Sequence, residues 1–86
     1  MKRREVEVGF AQGLNAAASA KLAQVASNYL SDVSVSRSGR KVNAKSLMGV
    51  MMLAAGPGVR VVIEADGPDE NAALEAIVAL IGSGAG

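Results

Sequence analysis

Four stretches of this sequence place apolar side chains at every second position, with mostly charged or hydroxyl ones between. Residues 4–10 read REVEVGF, with Val6, Val8 and Phe10 set against Glu5, Glu7 and Gly9. Asp32 to Arg37 sets Val33 and Val35 against Ser34 and Ser36. Lys41-Val42-Asn43 repeats the pattern briefly, and Val59 to Asp66 sets Val59, Val61 and Ile63 against Arg60, Val62 and Glu64. A period of two marks a strand with one buried face and one wet face. Parallel sheets are covered on both faces, so this pattern calls for an antiparallel sheet covered on one.

The segments between supply the cover. Asn15 caps a helix running to about Asn28, with Ala18, Leu22, Val25, Ala26 and Tyr29 on one face. Ser46 opens a shorter helix to about Leu53, which Ala55-Gly56-Pro57-Gly58 stops. After a Gly67-Pro68 turn, Asp69 caps a third helix to about Ile81, with Ala73, Leu74, Ile77, Val78 and Ile81 inward. Ser38-Gly39-Arg40 is a tight connection that makes a hairpin of its flanking strands. The order is β-α-β-β-α-β-α. It predicts an α+β fold in which a four-stranded antiparallel sheet carries three helices on one face. Residues 1–81 make one domain, and 82–86, GSGAG, read as a mobile tail with nothing to bury.

Composition removes whole classes of function. The 86 residues include no cysteine and no histidine. Disulfides, thiolate chemistry, histidine acid–base catalysis and phosphohistidine are therefore excluded. Nine basic and eight acidic residues leave a formal charge of +1, too balanced for direct binding to nucleic acid. Lys2-Arg3-Arg4 leads straight into the acidic alternation, as a solvated terminus does. The longest apolar run, Leu47 to Ala55, is far short of the ~20 residues of a membrane span. With no signal peptide visible either, the expected compartment is the cytosol, with no membrane partner.

Candidate sites are few. GLNAAASA, residues 13–20, opens the first helix, and a helix N-terminus suits an anion. Asn15 is among the best capping residues but cannot carry a phosphoryl group. Ser46 is also a good cap. Arg40, Lys41 and Lys45 precede it, and Leu47, Met48, Met51 and Met52 crowd the two turns after it. Met48 and Met51 fit either a core filled by flexible side chains or an exposed partner surface. A phosphate on Ser46 would add about −1.5 to −2 charge at the positive end of a helix dipole. Asp66, Asp69 and Glu70 read as caps and dipole charges rather than a metal site, and no cofactor or metal is expected. No plausible nucleophile–base pair exists, so the chain is not expected to be an enzyme.

KVNAKSLMGVMMLAAGPG, residues 41–58, resembles the regulatory-serine region of the HPr family, the phosphocarriers of the bacterial sugar phosphotransferase system. GPDENAAL resembles that family's last helix, and Gly13, Leu14 and Ala16 align with its active-site loop. The resemblance implies an open-faced β-sandwich. The family's loop reads GLHARPA; here Asn15, Ala17 and Ala18 stand where it has histidine, arginine and proline. In this the chain is most similar to the histidine-lacking Crh group. The resemblance implies phosphorylation of Ser46 by an HPr kinase/phosphorylase. It also implies docking of the phosphorylated form on a CcpA-type LacI-family repressor in carbon catabolite regulation. Leu47, Met48 and Met51 would form the docking surface, with Lys45 and Arg40 as flanking charges, on a monomer or weak homodimer. The alternatives are a phosphocarrier homologue with a disarmed site, or an interaction module that is never phosphorylated.

Overall fold

The computed structural model describes residues 1–84. The elements follow the expected order: β1 (Lys2–Glu7), α1 (Ala16–Ala26), β2 (Asp32–Arg37), β3 (Arg40–Asn43), α2 (Leu47–Met52), β4 (Arg60–Asp66) and α3 (Glu70–Ser83). The strands form one antiparallel sheet in the order β1-β4-β2-β3. Val33, Val35, Val61, Ile63 and Ala65 point to one face and are buried. Leu22 and Ala26 of α1, Val50 of α2, and Ala73, Leu74, Ile77 and Ile81 of α3 complete the same core. The register puts Arg3, Glu64, Ser34 and Asn43 in one cross-strand row of the other face, and Glu5, Val62, Ser36 and Lys41 in the next. That face is held by charge, with Lys41–Glu64 at 2.9 Å and Arg60–Glu5 at 3.1 Å.

Boundaries differ from the sequence expectation for local reasons. β1 lies earlier than residues 4–10, because Gly9 turns its N–H to the carbonyl of Ile81 (2.8 Å) and leaves the sheet. Val8 and Phe10 stay buried all the same. Past Ala26, Asn28 and Tyr29 bond to carbonyls three residues back, a tighter winding that ends α1 before Asn28. The β2–β3 connection needs only Ser38 and Gly39, at φ 51° and 81°, while Arg40 already pairs with Arg37. Two successive positive φ angles make the turn whose twist matches the strands.

Two expectations need correction. Residues 82–84 are not a loose tail. α3 runs to Ser83, and Gly84 closes it in the left-handed conformation (φ 67°), its N–H on the carbonyl of Leu80. A Cβ on Gly84 would meet the backbone oxygen of Gly9, so glycine here serves close packing. Residues 85 and 86, the rest of the expected tail, lie outside the described residues. Asp69, at the cap position of α3, makes no side-chain capping bond. Its carboxylate instead accepts from the backbone N–H of Leu30 and of Ser31, each at 2.9 Å, and from the Ser31 hydroxyl at 2.5 Å. Ser31 Oγ accepts in return from the Asp69 N–H at 3.2 Å. The turn before β2 is thereby fastened to the start of α3.

The Ser31 hydroxyl, then the Leu30 and Ser31 amides, hold the Asp69 carboxyl below its ordinary pKa. A depressed carboxyl stabilises the fold above its unfolded pKa and loses that contribution as pH falls through the folded value. The urea midpoint of Asp69→Asn should be lower than the parent's near neutrality. The two should converge on acidification towards about pH 2. Parallel curves across that range would remove Asp69 from the acid response.

Candidate functional site

Two helix starts carry the candidate residues. Before α1, Gly13 is left-handed (φ 69°), and the N–H of Leu14 bonds the carbonyl of Ala55 at 2.8 Å. Asn15 is extended, as a cap must be, and its Oδ1 accepts from the Ala18 N–H at 2.9 Å. Its Nδ2 donates to Gln12 Oε1 at 3.2 Å. Both ends of the amide are thus engaged, and an amide nitrogen has no free lone pair with which to attack phosphorus. Ala17 is exposed, and Ala18 packs beneath it. Ser19, a turn further in, is buried and donates to the carbonyl of Leu14 at 3.0 Å. A shallow cleft of about 330 Å³ lies here, edged by Gln12, Asn15, Ala17, Lys21 and Gly84. Gln12 and Lys21 carried no signal in the sequence; the first is tied to Asn15 and the second reaches the cleft from the next turn.

At the start of α2, Ser46 is extended and half-buried, and its Oγ accepts from the Gly49 N–H at 3.1 Å. The Ser46 N–H bonds the carbonyl of Asn43, whose side chain accepts from Lys45 N–H at 2.9 Å. Of α2, Val50 is fully buried, whereas Met48 is 67% exposed, Met51 37%, and Leu47 and Met52 also face solvent. The two readings of Met48 and Met51 separate on this point, because neither fills the core. Met52 and Leu30, which is 81% exposed, join the exposed apolar residues without having been expected there.

The cations do not gather at Ser46. Lys45 turns its ammonium to the carbonyl of Tyr29 at 2.9 Å. Lys41 pairs with Glu64 on the open face of the sheet. Arg40 lies at the opposite end of α2, on the carbonyl of Met52 at 3.2 Å. The hairpin runs alongside α2, so residues near Ser46 in sequence reach both ends of the helix. Leu14 meeting Ala55, and Lys45 meeting Tyr29, make α1 and α2 antiparallel neighbours. Asn15 and Ser46 therefore cap opposite ends of the pair, separated by about the 16 Å length of α1.

Charge is segregated as well. Between Val8 and Ile63 the only acidic residue is Asp32, against Lys21, Arg37, Arg40, Lys41, Lys45 and Arg60. Among the described residues no group of three acidic, histidine or cysteine side chains could hold a metal ion. None of the described helices is long and apolar enough to cross a membrane.

The family model for the PTS HPr component phosphorylation site matches residues 2–83. Phosphocarrier protein HPr of Cupriavidus necator is 56% identical over 81 residues, covering 94% of this chain and 91% of the relative. HPr-like protein Crh of Bacillus subtilis is 43% identical over 81 residues, covering 94% and 95%. The crystal structure of HPr-C-His from Thermoanaerobacter tengcongensis superposes with a TM-score of 0.93 at 40% identity, covering 98% of this chain and 94% of the other. That of B. subtilis Crh, described as a swapped, intertwined dimer, superposes at 0.77 with 43% identity, covering 94% and 93%.

The capping role of Asn15 is directly measurable. Asn15→Ala should lose about 1 kcal/mol of unfolding free energy, while Asn15→Asp should stay within a few tenths. Equal losses in urea denaturation would mean that the side chain does something other than cap.

Proposed function

This chain belongs to the HPr family of phosphocarrier proteins, which are not catalysts, and we propose that it acts there as a regulatory phosphoprotein switched at Ser46. The observation that carries the reading is Ser46 itself, a hydroxyl at the N-cap of α2 beside exposed Leu47, Met48 and Met51. An HPr kinase/phosphorylase would form the Oγ–P bond as the bond from the γ-phosphorus of ATP to the bridging oxygen breaks. ADP leaves, and the hydroxyl proton passes to a base of the kinase. The phosphate oxygens take over the Gly49 N–H, and the helix dipole favours the added charge by on the order of 0.3–1 kcal/mol. The fold stays as it is, while a strong negative charge appears beside an apolar patch.

Such a surface suits a partner that reads charge and apolar shape together, in this reading a CcpA-type LacI-family repressor in carbon catabolite regulation. Ala17 offers no cation to that partner, so contacts that use the family's loop arginine are lost. Lys45 and Arg40 act only after leaving their present carbonyl partners. The protein works in the cytoplasm, as a monomer or weak homodimer, without binding nucleic acid directly. Asn15 excludes a phosphohistidine relay.

A second reading is favoured by the 56% identity to a protein named as the phosphocarrier itself: a sugar phosphotransferase homologue whose acceptor position is disarmed. It predicts that Asn15→His alone restores phosphorylation from phosphoenolpyruvate when the general phosphotransferase enzyme is supplied.

The regulatory reading is tested by intact mass after incubation with an HPr kinase and ATP, beside a Ser46→Ala control. One phosphoryl group is expected on the parent and none on the control. No gain, with the kinase shown active on an ordinary HPr, would leave an interaction module that is never phosphorylated.

A further inference from the structure

Helix α2 is weak by its own sequence. It has six residues, places Gly49 in its interior, and carries no basic residue in its last turn. Isolated helices this short do not persist in water, and glycine costs them further. Its carbonyl end is held from outside. Arg37 Nη1 donates to the carbonyl oxygens of Leu53 (3.0 Å) and Ala54 (2.8 Å), and Arg40 Nη1 donates to that of Met52 (3.2 Å). Three consecutive carbonyls are thus taken by two guanidinium groups.

Both arginines come from the tip of the β2–β3 hairpin, where they stand directly opposite each other. Like charges so placed repel. Neither has a carboxylate partner among the described residues. The negative end of the α2 dipole is what faces them. Ala54 adopts φ 51°, rare for a residue with a Cβ, and in that conformation its carbonyl and that of Leu53 meet the same nitrogen.

We infer that Arg37 and Arg40 are positioning residues for the α2 surface: the hairpin tip keeps the last turn of α2 helical and so presents Met48, Met51 and Met52 as one patch. The functional meaning rests on the reading of that patch as a partner surface. The clamp itself does not, because it belongs to the unmodified chain.

The test is native-state amide exchange by NMR on the unmodified protein, for Arg37→Ala/Arg40→Ala, for Arg37→Lys/Arg40→Lys, and for Arg40→Ala alone. In the alanine pair, the amides of Val50, Leu53 and Ala54 should exchange at least about tenfold faster, with Leu22 and Ile77 nearly unchanged. The methyl signals of Met48, Met51 and Met52 should move towards random-coil positions. The lysine pair should fall between, since it keeps the charge but not the planar, pre-set guanidinium that places these donors. Uniform acceleration across α1, α2 and α3 would make the arginines ordinary contributors to global stability and overturn the inference. No acceleration would overturn it too. Should the alanine pair not fold, Arg40→Ala decides the matter through Leu53 and Ala54. Each outcome is independent of whether Ser46 accepts a phosphoryl group.

Discussion

A sheet that is apolar on one face only must bury that face once. Every other feature of this molecule follows from how three helices share that single surface. Val33, Val35, Val61, Ile63 and Ala65 form the floor. α1 and α2 lie over it antiparallel, joined at both ends by Leu14 to Ala55 and Lys45 to Tyr29. That arrangement sends the N-termini of α1 and α2 to opposite ends of the layer. The two helix starts can then differ in chemistry without disturbing each other. Asn15 makes one a sealed cap. Ser46 gives the other a hydroxyl at its cap.

Much of this was legible in the sequence because the signals are local. Alternating valines named the strands, and Asn15 and Ser46 named their helices by capping bonds that reach only three residues. The misreadings share one cause, a partner far away in the chain. Asp69 looks like a cap, but its bonds go to Leu30 and Ser31, 39 and 38 positions away. Gly84 looks like slack chain, but it is glycine because Gly9 passes against it. Arg40 looks like a neighbour of Ser46, yet a two-residue turn carries it to the far end of α2. Nothing in the local pattern distinguishes these cases, since cap, tail and charge cluster have the same letters either way.

The asymmetry of charge came from the sequence as well, but its meaning needed the fold. Six of the eight acids sit in β1, β4 and α3 and a seventh, Asp69, just before α3, while Lys21 of α1, Lys45 ahead of α2, and Arg37 and Arg40 at the hairpin tip carry positive charge. The exposed methionines therefore lie in a field that is positive before any modification. Methionine is soft and conforms to varied partners, so discrimination has to come from the charges around it. A single phosphoryl group at Ser46 would change that local field more than any other one-site change on this face.

The two edges of the sheet show a different economy. β1 is written KRREVE and β3 RKVN, so each free edge carries cations in half of its positions. An unguarded edge is a template on which further strands can grow into fibres. Here the edge of β3 is four residues long and β1 is charged at five of its six positions, both features that discourage such growth. Edge-to-edge growth is thereby discouraged in a sheet whose inner face is built largely from β-branched Val33, Val35, Val61 and Ile63, the side-chain type that pairs readily once strands are exposed.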